Sequence, residues 1–225
     1  MKPKKPGTSS EEAVEVSAGP VPLQGILGLP ARPVGVVLFA HGSGSGRFSP
    51  RNTFVARTLQ EGGLATLLID LLEEREAEDR RKVFDIDLLA DRLMAAAGWL
   101  AQEPTTQGLP LGYFGASTGA GAALQAAARA PGFVAAVVSR GGRPDLAAPF
   151  LPRVTAPTLL IVGGLDVPVI RMNEEALALL ACPKKLVIVP GATHLFEESG
   201  TLEQVADHAR RWFCRYLPRE SAEGA

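Results

Sequence analysis

Six short, almost uninterrupted apolar runs are the feature that most constrains how this 225-residue chain can fold. They lack the alternation of a half-exposed strand, which is typical of strands that are covered on both faces. Helical patterns separate the runs along the chain, and this order predicts a mostly parallel β-sheet with helices on both faces. The runs occupy residues 34–40, 64–70, 111–117, 134–139, 158–164 and 186–191.

Helical spacing of apolar residues is clearest in two segments, 84–103 and 201–217. In the second, Thr201 and Gln204 predict a capping box at the start of the helix. A third helix is expected at about 50–62, after the first apolar run. Strands and helices therefore alternate over most of the chain.

The segments that precede the first apolar run predict a different local structure. Residues 12–18 alternate apolar and polar side chains, and 23–30 follow a turn that contains proline, so we expect an exposed antiparallel hairpin. One hydrophobic core serves a chain of this length, which predicts a single α/β domain over 11–218. Residues 1–10 and 219–225 are expected to be flexible tails.

Composition and charge argue against several classes of function. The chain has 23 Lys and Arg against 24 Asp and Glu, so no excess positive charge attracts nucleic acid or anionic lipid. Cys182 and Cys214 have neither a disulfide-framework nor a metal-ligand spacing. A secretory signal and an apolar run of about 18 residues are both absent from the sequence. We expect a cytoplasmic protein without a metal, a nucleic-acid partner or a membrane partner, and its oligomeric state stays open.

A candidate nucleophile follows the third apolar run. Gly115, Ser117 and Gly119 form a G-x-S-x-G pattern between a predicted strand and a predicted small-residue helix. Such a turn is so tight that larger side chains two positions from the serine would collide with the strand and the helix. The hydroxyl of Ser117 is then expected to stand clear at the sheet edge, beside a helix N-terminus that favours negative charge.

A serine hydroxyl needs a base to take its proton, and the chain has three histidines. His208 lies among charged residues in the last predicted helix, where a solvated surface position explains it. His41 opens a glycine-rich loop and is interpreted mainly as a structural part of that loop. His194 follows the last apolar run in a polar loop and is the preferred base.

The base needs a carboxylate to orient it, and three aspartates follow predicted strands. Asp166 comes directly after the strand at 158–164, whereas Asp145 and Asp70 follow other strands and are alternatives. The chain order Ser117, Asp166, His194 matches the order of nucleophile, acid and base in hydrolases with a strand-to-helix nucleophile turn. Asp166 is therefore the preferred acid.

The remaining candidates are groups that would hold the substrate. Backbone N–H groups of Thr118, the residue after the nucleophile, and of Ser43, in the loop His41 to Gly46, are predicted to form an oxyanion hole. Arginines near strand ends could bind a substrate carboxylate, although solvated surface charge is the competing interpretation. The candidate substrate-binding residues are His41, Gly42, Arg51 and Arg140, and Arg143 and Arg171 share the same strand-end loops.

Four motifs together carry a resemblance to a known family. In order they are HGSGSG, GASTG, GGLD and GATH, within residues 34–217, and as a set they resemble the dienelactone-hydrolase-like branch of the α/β-hydrolase superfamily. The resemblance implies the α/β-hydrolase fold and a serine-type hydrolase without a cofactor, with Ser117, Asp166 and His194 as its triad. Dienelactone hydrolases proper have cysteine at the position of Ser117, which favours a general carboxylesterase here.

The length of the loop after Ser139 indicates the size of the expected substrate. Only about 18 residues separate the strand that ends near Ser139 from the next one, so a helical cap domain does not fit, and the expected substrates are small soluble esters. Thioesterase, lactonase and acyltransferase activities use the same machinery and remain alternatives. A nucleotide-binding βαβ unit is more distant, because Arg47 stands where its motif requires glycine. A non-catalytic α/β protein is equally distant.

Overall fold

The computed structural model describes residues 10–19 and 21–217. The predicted tails at 1–10 and 219–225 lie outside these residues, apart from Ser10, which begins the first strand.

The described strands form a single sheet of eight, listed here in chain order: β1 (Ser10–Ala18), β2 (Val21–Leu29), β3 (Gly35–Ala40), β4 (Leu64–Ile69), β5 (Leu111–Ala116), β6 (Ala136–Arg140), β7 (Thr158–Gly163) and β8 (Lys184–Val189). The order across the sheet is β1-β2-β4-β3-β5-β6-β7-β8. β1 pairs with β2, and β2 with β4, in antiparallel fashion, whereas all the other pairs are parallel. This confirms the predicted fold class, including the N-terminal hairpin.

Helices cover both faces of the sheet: α1 (Pro50–Glu61), α2 (Glu74–Ala77), α3 (Arg80–Val83), α4 (Ile86–Leu100), α5 (Thr118–Arg129), α6 (Val167–Leu179) and α7 (Thr201–Tyr216). α1 and α7 pack together on one face, and α4, α5 and α6 cover the other. Strands β3, β4 and β5 are consequently buried on both sides, which explains their uninterrupted apolar sequences. Among the described residues, no helix combines the length and hydropathy needed to cross a bilayer.

The start of α7 differs from the sequence prediction. Gly200, with a left-handed φ of 79°, is the N-cap, and Thr201 is already helical. The Thr201 hydroxyl donates to the Glu198 carbonyl at 2.6 Å, and Gln204 donates to the Gly200 carbonyl at 3.1 Å. The predicted capping box is therefore wrong, because a glycine turn rather than a threonine side chain sets the entry into the helix.

The connection between β6 and β7 contains only a 3-10 segment, Pro144–Arg153. Its internal prolines, Pro149 and Pro152, cannot donate the backbone hydrogen bonds of a longer helix. Within the described residues, this connection contains no cap domain, as predicted, and the carboxyl edge of the sheet stays uncovered from this side.

A buried ion pair fixes the two four-residue helices between β4 and α4. Arg92, on α4, donates to Glu76 of α2 at 2.9 Å and to the carbonyl of Leu71 at 2.8 Å. Lys82 of α3 donates to the same Glu76 carboxylate at 2.8 Å. Helices this short do not persist without tertiary contacts, so these hydrogen bonds hold α2 and α3 in place. The hydrogen bond from Arg92 is the main reason that the pKa of Glu76 falls to about 2.

Replacing the Glu76 carboxylate tests whether its hydrogen bonds hold α2 and α3 in place. We expect Glu76→Gln to lower the free energy of unfolding by about 2 kcal/mol at pH 7, since Arg92 would lose a charged partner while remaining buried. The pKa is lower in the folded state, so the stabilisation is complete above the unfolded pKa near 4.5 and declines as the pH falls toward 2. Urea unfolding of both proteins at several pH values measures whether the difference between their free energies of unfolding becomes smaller as the pH falls. A difference that stays constant down to pH 2 contradicts it.

Candidate active site

Ser117 occupies a strained turn between β5 and α5. Its φ of 51° and ψ of −122° place a residue with a side chain in a region that favours glycine. The turn is held from both sides: the Ser117 N–H donates to the Arg140 carbonyl at 3.2 Å, and the Ser117 carbonyl accepts from Ala120 and Arg143. Because α5 begins at Thr118, the Ser117 side chain lies at the N-terminus of a twelve-residue helix.

Close contacts with the end of β3 explain the small residues around this turn. A Cβ on Gly119 would lie 2.5 Å from the His41 carbonyl oxygen and still nearer that of Ala40. A Cβ on Gly42 would lie 2.8 Å from the Cβ of Ser117. The glycine-rich loop after β3 therefore packs directly against the candidate nucleophile.

His194 and Asp166 form a short hydrogen bond. The Nδ1 of His194 lies 2.6 Å from the Oδ2 of Asp166, which is the N-cap residue of α6 just beyond β7. The Asp166 side chain is 14% exposed and the His194 side chain 39%, so the carboxylate is shielded while the imidazole remains open to solvent on one side.

The two alternative carboxylates are bound elsewhere. Asp145 accepts from the Arg143 guanidinium at 2.7 and 2.8 Å. Asp70 accepts from the backbone N–H of Arg47 at 2.6 Å and also pairs with its guanidinium. Among the aspartates considered from the sequence, the one in contact with His194 is Asp166.

The residues at the end of β6 lie next to both the His194–Asp166 pair and the Ser117 turn. Gly141 follows Arg140, whose carbonyl accepts the Ser117 N–H, and a Cβ on Gly141 would lie 3.5 Å from Cε1 of His194. The imidazole thus lies above Gly141, one residue from the backbone group that holds the Ser117 turn. Such an arrangement of hydroxyl, imidazole and carboxylate can perform nucleophilic attack with general-base assistance.

The other two histidines have different surroundings. The Nε2 of His41 accepts from the Leu71 N–H at 3.0 Å, and its Nδ1 lies 3.0 Å from the Gly42 carbonyl, so backbone groups use both ring nitrogens. Burial lowers the pKa of His41, which favours the neutral ring that this pattern requires. His208 lies on α7, where partial burial lowers its pKa.

A small cavity of about 110 Å³ opens beside the predicted oxyanion-hole residues Ser43 and Thr118. Its other wall is apolar, and these residues were not identified from the sequence. Three of the wall residues lie within or next to the strongly charged segment 73–82, so no local sequence pattern indicates an apolar wall there. The wall consists of Leu72, Ala77, Val83 and Leu89.

Two of the four candidate arginines lie together. Arg140 is buried, and its Nη2 lies 3.4 Å from the Oδ1 of Asn52 on α1. Burial lowers the pKa of Arg140, and the charge of Arg51, also on α1, lowers it further. By contrast, Arg143 is paired with Asp145, and Arg171 is exposed on α6.

Comparison with known proteins identifies the family. The sequence profile of the dienelactone hydrolase family matches residues 23–216. The chain belongs to the dienelactone hydrolase family. A dienelactone hydrolase from Anabaena variabilis is 60% identical, with a TM-score of 0.90 over 93% of this chain and 99% of that one. A serine hydrolase without a lid from Xanthomonas campestris is 26% identical, with a TM-score of 0.74 over 97% of this chain and 100% of the other.

Two curated relatives come from strains of Mycobacterium tuberculosis. Each is 59% identical over 207 residues, which covers 92% of this chain but 47% of the relative. The chain therefore spans about half the length of these relatives, which carry the provisional name of phosphoribosyl transferase.

No potential metal centre occurs in the part of the chain that the structure describes, since no three His, Cys, Asp or Glu side chains cluster there.

The contact between Gly119 and the end of β3 can be tested by adding one methyl group. We expect Gly119→Ala to lower the free energy of unfolding by more than about 2 kcal/mol, because the rigid backbone of Ala40 and His41 must shift. Gly98→Ala is the matched control in the interior of α4, where nothing lies within 4 Å, and it should stabilise by about 0.5–1 kcal/mol. Denaturant unfolding measures both; equal effects contradict the proposed crowding at Gly119.

Proposed function

We propose that this member of the family is a serine carboxylesterase that cleaves small soluble esters through an acyl-enzyme on Ser117. The observation that carries the proposal is the 2.6 Å contact between Asp166 and His194, which orients the imidazole beside the strained Ser117 turn. Membership of the family supports hydrolase chemistry in general.

In the acylation step, the Oγ of Ser117 attacks the ester carbonyl carbon while the Nε2 of His194 takes its proton. Asp166 accepts the Nδ1–H of His194, which fixes the tautomer and stabilises the imidazolium. The carbonyl oxygen becomes negative and accepts hydrogen bonds from the backbone N–H groups of Thr118 and Ser43. Collapse of this intermediate breaks the bond to the leaving oxygen, which takes the proton from His194.

Deacylation repeats these steps with water. His194 removes a proton from the water as its oxygen bonds to the acyl carbon, and the bond to Ser117 then breaks. The serine oxygen regains a proton from His194, and the carboxylic acid product departs. Ser117 also lies at the positive end of the α5 dipole, which favours the negative charge that develops in both steps.

The cavity beside Ser43 and Thr118 suits the acyl group of a short ester. Its volume of about 110 Å³ is well below the roughly 300–1,000 Å³ of pockets for drug-sized ligands, so it suits a small acyl group. Val83 and Leu89 are among the apolar side chains that line it. We expect acetyl to butyryl groups to bind there better than longer chains.

Transfer of a phosphoribosyl group is not proposed for these residues. The relatives that carry this name are about twice as long, and the segment shared with this chain matches the hydrolase family. Thioesterase, lactonase and acyltransferase reactions would use the same nucleophile, and comparison of ester, thioester and lactone substrates separates them.

Substitutions at the three candidate catalytic residues test the mechanism with p-nitrophenyl acetate. We expect Ser117→Ala and His194→Gln to lower kcat by at least about 10⁴-fold, and Asp166→Asn by about 10³- to 10⁴-fold. His208→Gln and Asp145→Asn are matched controls that should retain parental rates. If Ser117→Ala keeps a tenth of the activity, or Asp145→Asn loses as much as Asp166→Asn, the assignment is wrong.

A series of acyl-chain lengths tests the small cavity. We expect kcat/KM to be highest between acetate and butyrate and to fall for octanoate, because the cavity is small and Val83 is part of its wall. Val83→Ala should move the optimum to chains longer by one or two carbons. Val205→Ala, which removes the same atoms from the opposite face of the sheet, should leave the optimum in place. A Val83→Ala protein with the parental preference argues against this acyl site.

A further inference from the structure

Asn173 on α6 is a fully buried polar side chain that neither acylation nor deacylation involves directly. Its Nδ2 donates to the Gly142 carbonyl at 3.0 Å and to the Val169 carbonyl, one helical turn earlier, at 2.8 Å. These two acceptors fix the orientation of the amide, because an amide oxygen in the place of Nδ2 would face both carbonyls without a proton to share. The side chain therefore connects α6 with the backbone that follows β6.

This asparagine is costly to the fold. Among the described residues, no group donates to the Oδ1 of Asn173, and a buried acceptor without a partner lowers stability. The hydrogen bond to Val169 stays inside α6, whose backbone hydrogen bonds form without it. An apolar side chain of the same shape would avoid the unpaired oxygen. The contact that accounts for an asparagine at this position is thus the one to Gly142.

Gly142 belongs to a four-residue segment, 140–143, which we call the β6 turn. This turn holds the candidate nucleophile by both of its backbone groups. The Ser117 N–H donates to the Arg140 carbonyl at 3.2 Å, and the Arg143 N–H donates to the Ser117 carbonyl at 3.0 Å. A displacement of the β6 turn would therefore move the strained residue on which the hydroxyl is carried.

The β6 turn also lies beneath the candidate base. A Cβ on Gly141 would be 3.2 Å from the carbonyl oxygen of His194 and 3.5 Å from its Cε1. Gly141 has a left-handed φ of 49°, and its N–H donates to the Ile161 carbonyl at 2.8 Å. The loop that carries the imidazole is thus packed directly on this turn, and the position of the turn affects both the base and the nucleophile.

Packing alone restrains the β6 turn in one direction. A Cβ on Gly142 would collide with the Oγ of Ser139 and would lie 2.7 Å from the Cβ of Ala120. These contacts resist movement toward β6 and α5 only. The hydrogen bond from Asn173 resists movement of the Gly142 carbonyl away from α6, and the N-cap residue of that helix is Asp166.

We propose that Asn173 is a positioning residue for the candidate triad: its amide holds the β6 turn so that the His194 imidazole stays within reach of the Ser117 hydroxyl. This inference rests on the proposed esterase function and deepens it. One element, α6, then positions the acid directly, through Asp166, and the other two residues indirectly, through Gly142. Because Asn173 is buried, it acts through the turn and not on the substrate.

Asn173→Leu tests this role, because leucine has nearly the same shape and cannot donate to Gly142. With p-nitrophenyl acetate, we expect kcat to fall about 10- to 100-fold, since a small misplacement of reacting groups costs rates of this order. Acylation and deacylation both use His194 and should slow together, so KM should stay within about twofold of the parental value. The rate constant for labelling of Ser117 by a fluorophosphonate should fall by the same factor as kcat.

Thr106→Val is the matched control for the loss of a buried hydrogen bond. The Thr106 hydroxyl is buried and donates to the Leu100 carbonyl at 2.7 Å, at the end of α4 and outside the candidate active site. This variant should keep the parental kcat and the parental labelling rate. Rates are compared at a temperature at which circular dichroism shows that every protein is folded.

Asn173→Asp makes the donation to Gly142 depend on protonation. Burial raises the pKa of a carboxyl group, and the protonated carboxyl can donate whereas the carboxylate cannot. The kcat of this variant, divided by the parental kcat at the same pH, should rise at least about fivefold between about pH 8 and pH 5. Division by the parental value removes the titration of the groups that both proteins share. The corresponding ratio for Asn173→Leu should not change with pH.

The outcomes separate this role from the function on which it rests. A parental kcat and labelling rate in Asn173→Leu overturn the positioning role, and an equal loss in Thr106→Val does the same. If Asn173→Leu does not fold, the ratio for Asn173→Asp decides, and a ratio that does not change with pH overturns the role. A parent protein that hydrolyses no ester but is labelled on Ser117 contradicts the esterase proposal alone, and the labelling rates then still test the role of Asn173.

Discussion

The parallel hydrogen bonding of β3, β5, β6 and β7 is the constraint on which the candidate active site depends. Their registers, with that of β8, bring the strand ends to one edge of the sheet, and the loops after β5, β7 and β8 carry Ser117, Asp166 and His194. These loops begin at neighbouring strand ends, and the side chains that they carry therefore lie close together. Ser117 is then held by a backbone hydrogen bond to the neighbouring strand end, which stabilises a conformation that is unfavourable in isolation.

Polar side chains outside the proposed triad hold the loops around this edge. Both ring nitrogens of His41 contact backbone groups just beyond β3 and β4, and these contacts hold the glycine-rich loop against the Ser117 turn. Arg92 and Glu76 perform the corresponding role for α2 and α3, which form part of the small cavity. The cavity is thus shaped by a charged cluster on its outside and by apolar side chains on its inside. These contacts connect the stability of α2 and α3 with the shape of the cavity.

Features encoded locally could be predicted from the sequence. The apolar runs predicted β3 to β8, and burial on both faces explains the runs of β3 to β7. For the run at 186–191 the predicted burial is wrong, because β8 is the edge strand of the sheet and most of its side chains are at least partly exposed. The glycines around Ser117 predicted the turn, because a larger residue at Gly119 does not fit against β3. The start of α7 was predicted wrongly, since the left-handed conformation of Gly200 outweighs the capping pattern at Thr201. The cavity wall could not be predicted, because Val83 borders a charged run. The proximity of Arg51 to Arg140 depends on the packing of α1 against the end of β6, which no local pattern reveals.

All the proposed chemistry depends on Ser117, and the most direct measurement of its role is the position of a covalent adduct. A fluorophosphonate reacts with a serine only where a base and an oxyanion hole activate it. Mass spectrometry of the digested protein is expected to find one adduct per chain, on Ser117, with loss of ester hydrolysis in proportion to labelling. An adduct on another residue, or hydrolysis that persists after Ser117 is fully labelled, would contradict the central claim.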